Sequence, residues 1–398
     1  MITLESNALL TIAISILVLL AGIFIQKRVN ILSRFFIPPP VVGGLLFSIL
    51  IAILAYFELL HIHFDSSAQN YFMLIFFATI GFSASLRFLF IGGRTVIILF
   101  VCMCILVILQ NLLGVSLANL LGLSSAFGMA NSSVTMVGGH GTGIAFSQIL
   151  EDNFGLKSAT TITAAAATFG LIAGSLSGGP VARYLMKKYQ LKPKEDAVHP
   201  DTRKSNEDRV LSICQHGVFN AVVMIILAIG IGSLFSAWFE SMNIILPPYI
   251  GAMLAAAIIR NLADATDIFE IKDTELQMLG AISLSIFLSM ALMQMKLLSL
   301  VSLALPMLLI LFAQLILVVL FARFVIFRAL GKNYDAAVMT CGTVGLGMGA
   351  TPNAIANMEA FTAKNYPAPQ AFFVVPIVGS VLIDFFNAGA ITTFLNIF

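Results

Sequence analysis

What constrains this chain most is the length of its apolar runs. Stretches of about eighteen mostly apolar residues recur along the chain, and each is long enough to cross a hydrocarbon core of roughly 30 Å as a helix. Of the 398 residues, 59% are apolar and 10% charged, where a soluble domain carries roughly 25% charged residues. A water-soluble fold has no way to hide that much apolar surface, so the main solvent of this protein is expected to be the lipid bilayer.

Ten runs qualify as spans. Five come early: Asn7 to Ile25, Pro38 to Phe57, Tyr71 to Leu86, Thr95 to Leu123 and Ser158 to Met186. Five come late: Val210 to Phe239, Leu246 to Ile259, Leu276 to Met295, Leu298 to Phe321 and Gln370 to Phe398. Between the sets lies a polar linker, residues 187–209. The chain therefore divides into an N-terminal unit, 1–186, the linker, and a C-terminal unit, 210–398. The first run lacks the basic residues that precede the core of a signal peptide. Lys27, Arg28 and Arg34 follow it instead, which reads as a retained span.

Two further stretches, about 125–150 and 335–358, are apolar at their ends but rich in Gly, Thr, Ser and Asn within. Lipid cannot hydrogen-bond a free backbone, so irregular chain at membrane depth needs protein or water around it. These stretches are expected to be re-entrant hairpins. With an external N-terminus, basic residues concentrate in the inside loops and only Lys157 and Lys296 of the 21 fall outside. Both termini are then periplasmic and the linker cytoplasmic. The halves also echo one another in order: Pro38-Pro39 with Pro247-Pro248, Gly139 to Gly143 with Gly345 to Gly349, and Phe169-Gly170 with Val378-Gly379. An odd number of spans per half inverts one copy relative to the other. The expected fold class is an all-α polytopic membrane protein with two inverted-topology repeats of five transmembrane helices, each carrying one hairpin. Inverted repeats with interrupted helices place substrate and ion sites near midplane in secondary transporters.

The chemistry-bearing residues fall in the interruptions and the last span. Gly138, Gly139, His140, Gly141, Thr142 and Gly143 form the first glycine cluster, where a missing Cβ lets backbone groups face a ligand. Gly345, Gly347 and Gly349 form the second, followed by Thr351, Asn353 and Asn357, whose neutral oxygens suit sodium or a polar solute. Asp384 is the one acidic residue deep in a span, with Asn387 on the same helical face three residues on. Asp384, Asn387 and Asn353 are the candidate sodium ligands. A net charge of +2 with scattered basic residues gives nucleic acid no footprint. Cys102, Cys104, Cys214 and Cys341 show no CxxC spacing that would suggest zinc. No ring of charges marks a channel filter, and an intramembrane enzyme would require His140 and Asp384 to converge.

Several motifs together resemble the bacterial glutamate:sodium symporter family over almost the whole chain. They are Ile37 to Leu46 (IPPPVVGGLL), Phe76 to Gly81 (FFATIG), Gly138 to Gly143 (GGHGTG), Gly178 to Leu185 (GGPVARYL), Gly331 to Val338 (GKNYDAAV) and Gly349 to Pro352 (GATP). The resemblance implies sodium-driven uptake of L-glutamate through the cytoplasmic (inner) membrane, with another small carboxylate, a dicarboxylate or citrate, as the alternative substrate. It implies a GGxGxG pattern on paired hairpins, carried by Gly138, Gly139, Gly141 and Gly143. The second copy departs from it, since Val344 stands where the first glycine belongs. Similarity to sodium:citrate carriers implies a homodimer and an elevator-like motion. No organic cofactor is implied; sodium is the coupling ion.

Overall fold

The computed structural model describes residues 2–85, 87, 93–191, 215–241, 248–266, 272–295 and 303–397. From residue 192 on, the linker lies outside the described residues, as do Cys214, Pro247 and Lys296.

A short strand β1 (Ile2–Glu5) leads into α1 (Ala8–Arg28), a single-turn α2 (Asn30–Arg34) and α3 (Pro39–Tyr56). Asn7 caps α1 by accepting the Leu10 amide at 2.9 Å, and Pro39 starts α3 where its missing N–H costs nothing. Strand β2 (Leu60–His63) then pairs with β1 in parallel, Ile2 opposite Leu60. This pairing was not expected from the sequence. The pairing brings the start of α1 and the end of α3 to one face of the molecule, as a pair of successive spans demands.

The chain continues through α4 (Ser67–Ser83) and α5 (Gly93–Leu120) into a first broken segment of three short helices, α6 (Ser125–Ala130), α7 (Ser133–Met136) and α8 (Gly139–Asp152). Helix α9 (Ala159–Tyr189) closes the first half. The second half runs α10 (Gln215–Ser241), α11 (Pro248–Thr266), α12 (Asp273–Leu292) and α13 (Ala304–Ala329). A second broken segment, α14 (Tyr334–Gly347) and α15 (Thr351–Thr362), precedes the last helix α16 (Pro369–Ile397). Among the described residues eight of these helices are long and apolar enough to cross a membrane. The two remaining expected spans are α4, with 17 residues, and α11, which carries Arg260 and Asp264.

The helices pack in two groups. Helices α1, α3 and α4 pack with α10, α11 and α12, and α5, α9, α13 and α16 pack around the two broken segments. Small residues set the first group's spacing. Gly22 of α1 faces Pro39 and Gly43 of α3, and Gly232 of α10 faces Gly251 and Ala252 of α11. A Cβ at any of these glycines would run into neighbouring backbone, so the same close crossing is built once in each half. Arg260, expected in an inside loop, lies buried in α11. Its Nε donates to Asp264 at 3.1 Å and its Nη1 donates to Asp273, which neutralises an otherwise costly charge.

Candidate functional site

The second group holds its polar residues at the helix breaks. Helix α6 ends at Ala130, and the chain needs two residues to re-aim before Ser133 starts α7. A second break follows at Val137 and Gly138, and α8 begins at Gly139 with φ +58°, a conformation that favours glycine. The other segment breaks once, between Gly347 and Thr351. The two breaks meet: a Cβ at Gly139 would fall 2.7 Å from the Gly349 carbonyl oxygen. The N-terminus of α8 and the N-terminus of α15 therefore converge on one locality. Each N-terminus presents amide N–H groups without helical partners and a partial positive charge of roughly half a unit.

Around this meeting point the glycine clusters divide by role. Gly139 and Gly349 are in contact, whereas Gly141, Gly143, Gly345 and Gly347 are helical. Gly143 packs on Thr135 and Thr163, Gly345 on Asn353 and Asn357, and Gly347 on Leu106 and Val318. Gly138 lies against Thr142. Gly141 faces the other helix group, where a Cβ would stand 3.1 Å from Phe76 and 3.3 Å from Leu284. A regular helix satisfies its own backbone, so only the break residues offer free amides. The glycines within helices serve close packing instead.

His140 sits buried beside the contact, its Nε2 3.0 Å from the Thr168 hydroxyl. Thr168 gives its proton to the Ala164 carbonyl at 2.8 Å, so Nε2 must be the donor and Nδ1 keeps a lone pair. Asn353 has partners at both ends of its amide. Its Oδ1 accepts from Ser175 at 2.7 Å and its Nδ2 donates to the carbonyls of Leu171 and Gly345. Asn357 donates to Gly174 at 3.0 Å. These bonds hold α15 to α9, with Gly170 and Gly174 making room for Met348 and Asn353. Thr351 lies against Gly379 of α16.

Helix α16 changes pitch just before its charged residue. A π-helical stretch, Val378–Ile383, precedes Asp384, and such insertions frequently mark functional positions. Asp384 has no hydrogen bond or ion pair among the described residues. One turn on, Asn387 donates to the Ser133 carbonyl at 3.2 Å and ties α16 to the first break. The structure thus joins Asn387 to the first broken segment and Asn353 to the second, without a direct bond between them. Sequence reading missed three further side chains at the breaks. Gln110 of α5 donates to the Gly347 carbonyl at 2.8 Å, and Gln314 of α13 donates to the carbonyls of Gln110 and Asn131 at 2.8 and 3.3 Å. Asn111 accepts from the Ser132 hydroxyl at 2.8 Å and the Ser133 amide at 3.2 Å. Their signal was available, since each is a carboxamide inside a long apolar helix. Among the described residues no cluster of His, Cys, Asp and Glu could hold a transition metal.

A bilayer-spanning helical bundle whose buried polar side chains gather at paired helix interruptions has the build of a secondary transporter. Comparison with known proteins narrows the class. Residues 4–367 match the family model described as Sodium/glutamate symporter. The chain is 38% identical over 392 residues to the Sodium/glutamate symporter of Escherichia coli, covering 98% of this chain and 97% of that one. It is 37% identical over 382 residues to the Sodium/glutamate symporter of Haemophilus influenzae, covering 95% and 94%. The chain belongs to the sodium/glutamate symporter family, and so to the transporters rather than the enzymes.

Proposed function

We propose that this protein carries L-glutamate into the cell in symport with sodium, binding the substrate where the N-termini of α8 and α15 meet. That convergence is the observation that carries the reading. Glutamate brings a net charge of −1 into a region with no Lys or Arg among the described residues, and two helix N-termini supply positive potential and free N–H groups for its carboxylates. The break residues Gly138, Gly139, Gly349 and Thr351 line that point, and His140 offers its Nδ1 lone pair to the ammonium group. Gly141, Thr142, Gly143, Gly345 and Gly347 shape the helices that end there. Asp384 and Asn387 serve the coupling ion, and Asn353 acts mainly as a brace for α15.

The broken segments act as re-entrant hairpins of two inverted five-span repeats, 1–186 and 210–398. The paired crossings Gly22–Gly43 and Gly232–Gly251 support the repeat. Helices α1, α3, α4, α10, α11 and α12 form a scaffold against which the second group slides in an elevator-like motion. The exposed apolar faces of α1 and α10, bearing Leu17, Leu20, Ile226 and Leu234, supply a homodimer contact within the inner membrane, with both termini periplasmic. Counterflow of labelled glutamate in sodium-loaded proteoliposomes tests the function. Exchange that requires sodium and favours glutamate over citrate and dicarboxylates is expected. Passive leak without counterflow would mean a channel, and preference for citrate would move the protein to another carboxylate.

A further inference from the structure

Four carboxamides near the first break share one arrangement. Gln110, Asn131, Gln314 and Asn387 are each fully buried, with no exposed surface. Each turns its nitrogen to a backbone carbonyl: Gln110 to Gly347, Asn131 to Phe127 at 2.8 Å, Gln314 to Gln110 and Asn131, and Asn387 to Ser133. In each the side-chain oxygen has no partner, and neither has the Ser133 hydroxyl oxygen. The amide orientations are forced, because flipping any of them would set oxygen against a carbonyl oxygen. The result is five unpaired buried oxygens, those of Asn131, Ser133, Gln314 and Asn387 held on or bonded to residues 131–133, and that of Gln110 linked to them through Gln314. Against them stand two unpaired donors, Nδ2 of Asn111, whose oxygen already serves Ser132 and Ser133, and the hydroxyl proton of Ser133 itself. Buried acceptors without donors are costly and rare in native structures, and an excess of oxygens with the same polarity calls for a cation. Asp384, one helical turn from Asn387, supplies a nearby carboxylate free of other partners among the described residues.

We infer that the first helix break is a sodium site made mainly of neutral oxygens. Gln110, Asn131, Ser133 and Gln314 join Asn387 as ligands, and Asp384 balances charge from one turn away. This rests on the symport reading and deepens it, since it separates the ion from the glutamate held at Gly139 and Gly349. It also joins the halves: the ion draws on α5 and the first break from one half, and on α13 and α16 from the other. Neutral oxygens and unwound backbone suit a hard monovalent ion, which loses its hydration shell to them.

The test uses the purified full-length protein with sodium chloride titrated against choline chloride. Thermal stability is measured without glutamate, and sodium activation of glutamate uptake is measured in proteoliposomes. Ser133→Ala is the decisive variant, because it removes one unpaired oxygen and no hydrogen bond that Ser133 donates from its side chain. A purely structural role predicts unchanged or higher stability and unchanged sodium activation. The sodium site predicts weaker sodium-dependent stabilisation and a sodium requirement raised on the order of tenfold. Gln314→Leu should shift it in the same direction. An unchanged sodium response in both variants would overturn the site and leave ordered water as its occupant. Sodium-independent uptake by the unaltered protein would instead overturn the symport reading, and the site with it.

Discussion

At the scale of single residues, Asp384 and Gly139 carry the sharpest expectations. A carboxylate at membrane depth with no protein partner is expensive unless a cation accompanies it. Asp384→Asn should weaken sodium activation of glutamate uptake more than Asp384→Glu does, and raised sodium should relieve part of the loss. Transport by Asp384→Asn with unchanged sodium dependence would reduce Asp384 to a structural residue. Gly139 combines φ +58° with a close approach to the Gly349 carbonyl. Gly139→Ala therefore strains the backbone and parts the two helix starts, and uptake should fall by at least tenfold while the protein still reaches the membrane, as surface labelling would show. These positions were legible in the sequence: Asp384 as an acid in an apolar run, Gly139 as part of a glycine cluster. Gln110 and Gln314 stand in equally apolar runs and give a weaker signal, because an uncharged amide disturbs hydropathy little. Their role depends on which carbonyl lies opposite, and that is a tertiary fact.

At the scale of elements, the glycine clusters read from sequence as irregular chain, yet most of each is helical. Helix α14 runs through Gly345 to Gly347, and α8 starts at the second glycine of its cluster. Periodicity does not show where a helix will stop when both flanks are apolar. The π-helical stretch before Asp384 has a single sequence cue, Pro376 inside the same helix two residues earlier. For the helical glycines the outcome of substitution follows from their neighbours. Gly141→Val pushes on Phe76 and Leu284 across the two helix groups, and Gly347→Val pushes on Leu106 and Val318 within one. Both should abolish uptake with insertion intact; normal uptake by Gly141→Val would mean that the groups are not closely apposed during the cycle. The cap of α14 provides a control. Asn333 accepts the Ala336 amide at 2.8 Å, and Asn333→Ala should lower stability by about 1 kcal/mol without changing sodium dependence.

At the scale of the whole molecule, the eight described helices long and apolar enough to cross a membrane could be read from apolar length. The grouping of α1, α3 and α4 with α10, α11 and α12 could not, because it depends on contacts between distant spans. Orientation is open to direct test. Single cysteines placed in residues 192–209 should resist impermeant thiol reagents in intact cells and react after permeabilisation, and ready labelling in intact cells would reverse the orientation. The group interface can be locked as well: Gly141→Cys with Leu284→Cys should cross-link with a short bifunctional thiol reagent and stop uptake. Continued transport in the cross-linked state would argue against sliding. The crossed amide bonds carry a further consequence for biogenesis. Gln110, in the first half, closes the break at Gly347 in the second, while Gln314, in the second, closes the break at Asn131 in the first. Neither half can finish its own core before the other is made, so translation of the second half completes the first. A gene cut within the linker should yield two fragments that are each degraded when expressed alone and that restore uptake when expressed together.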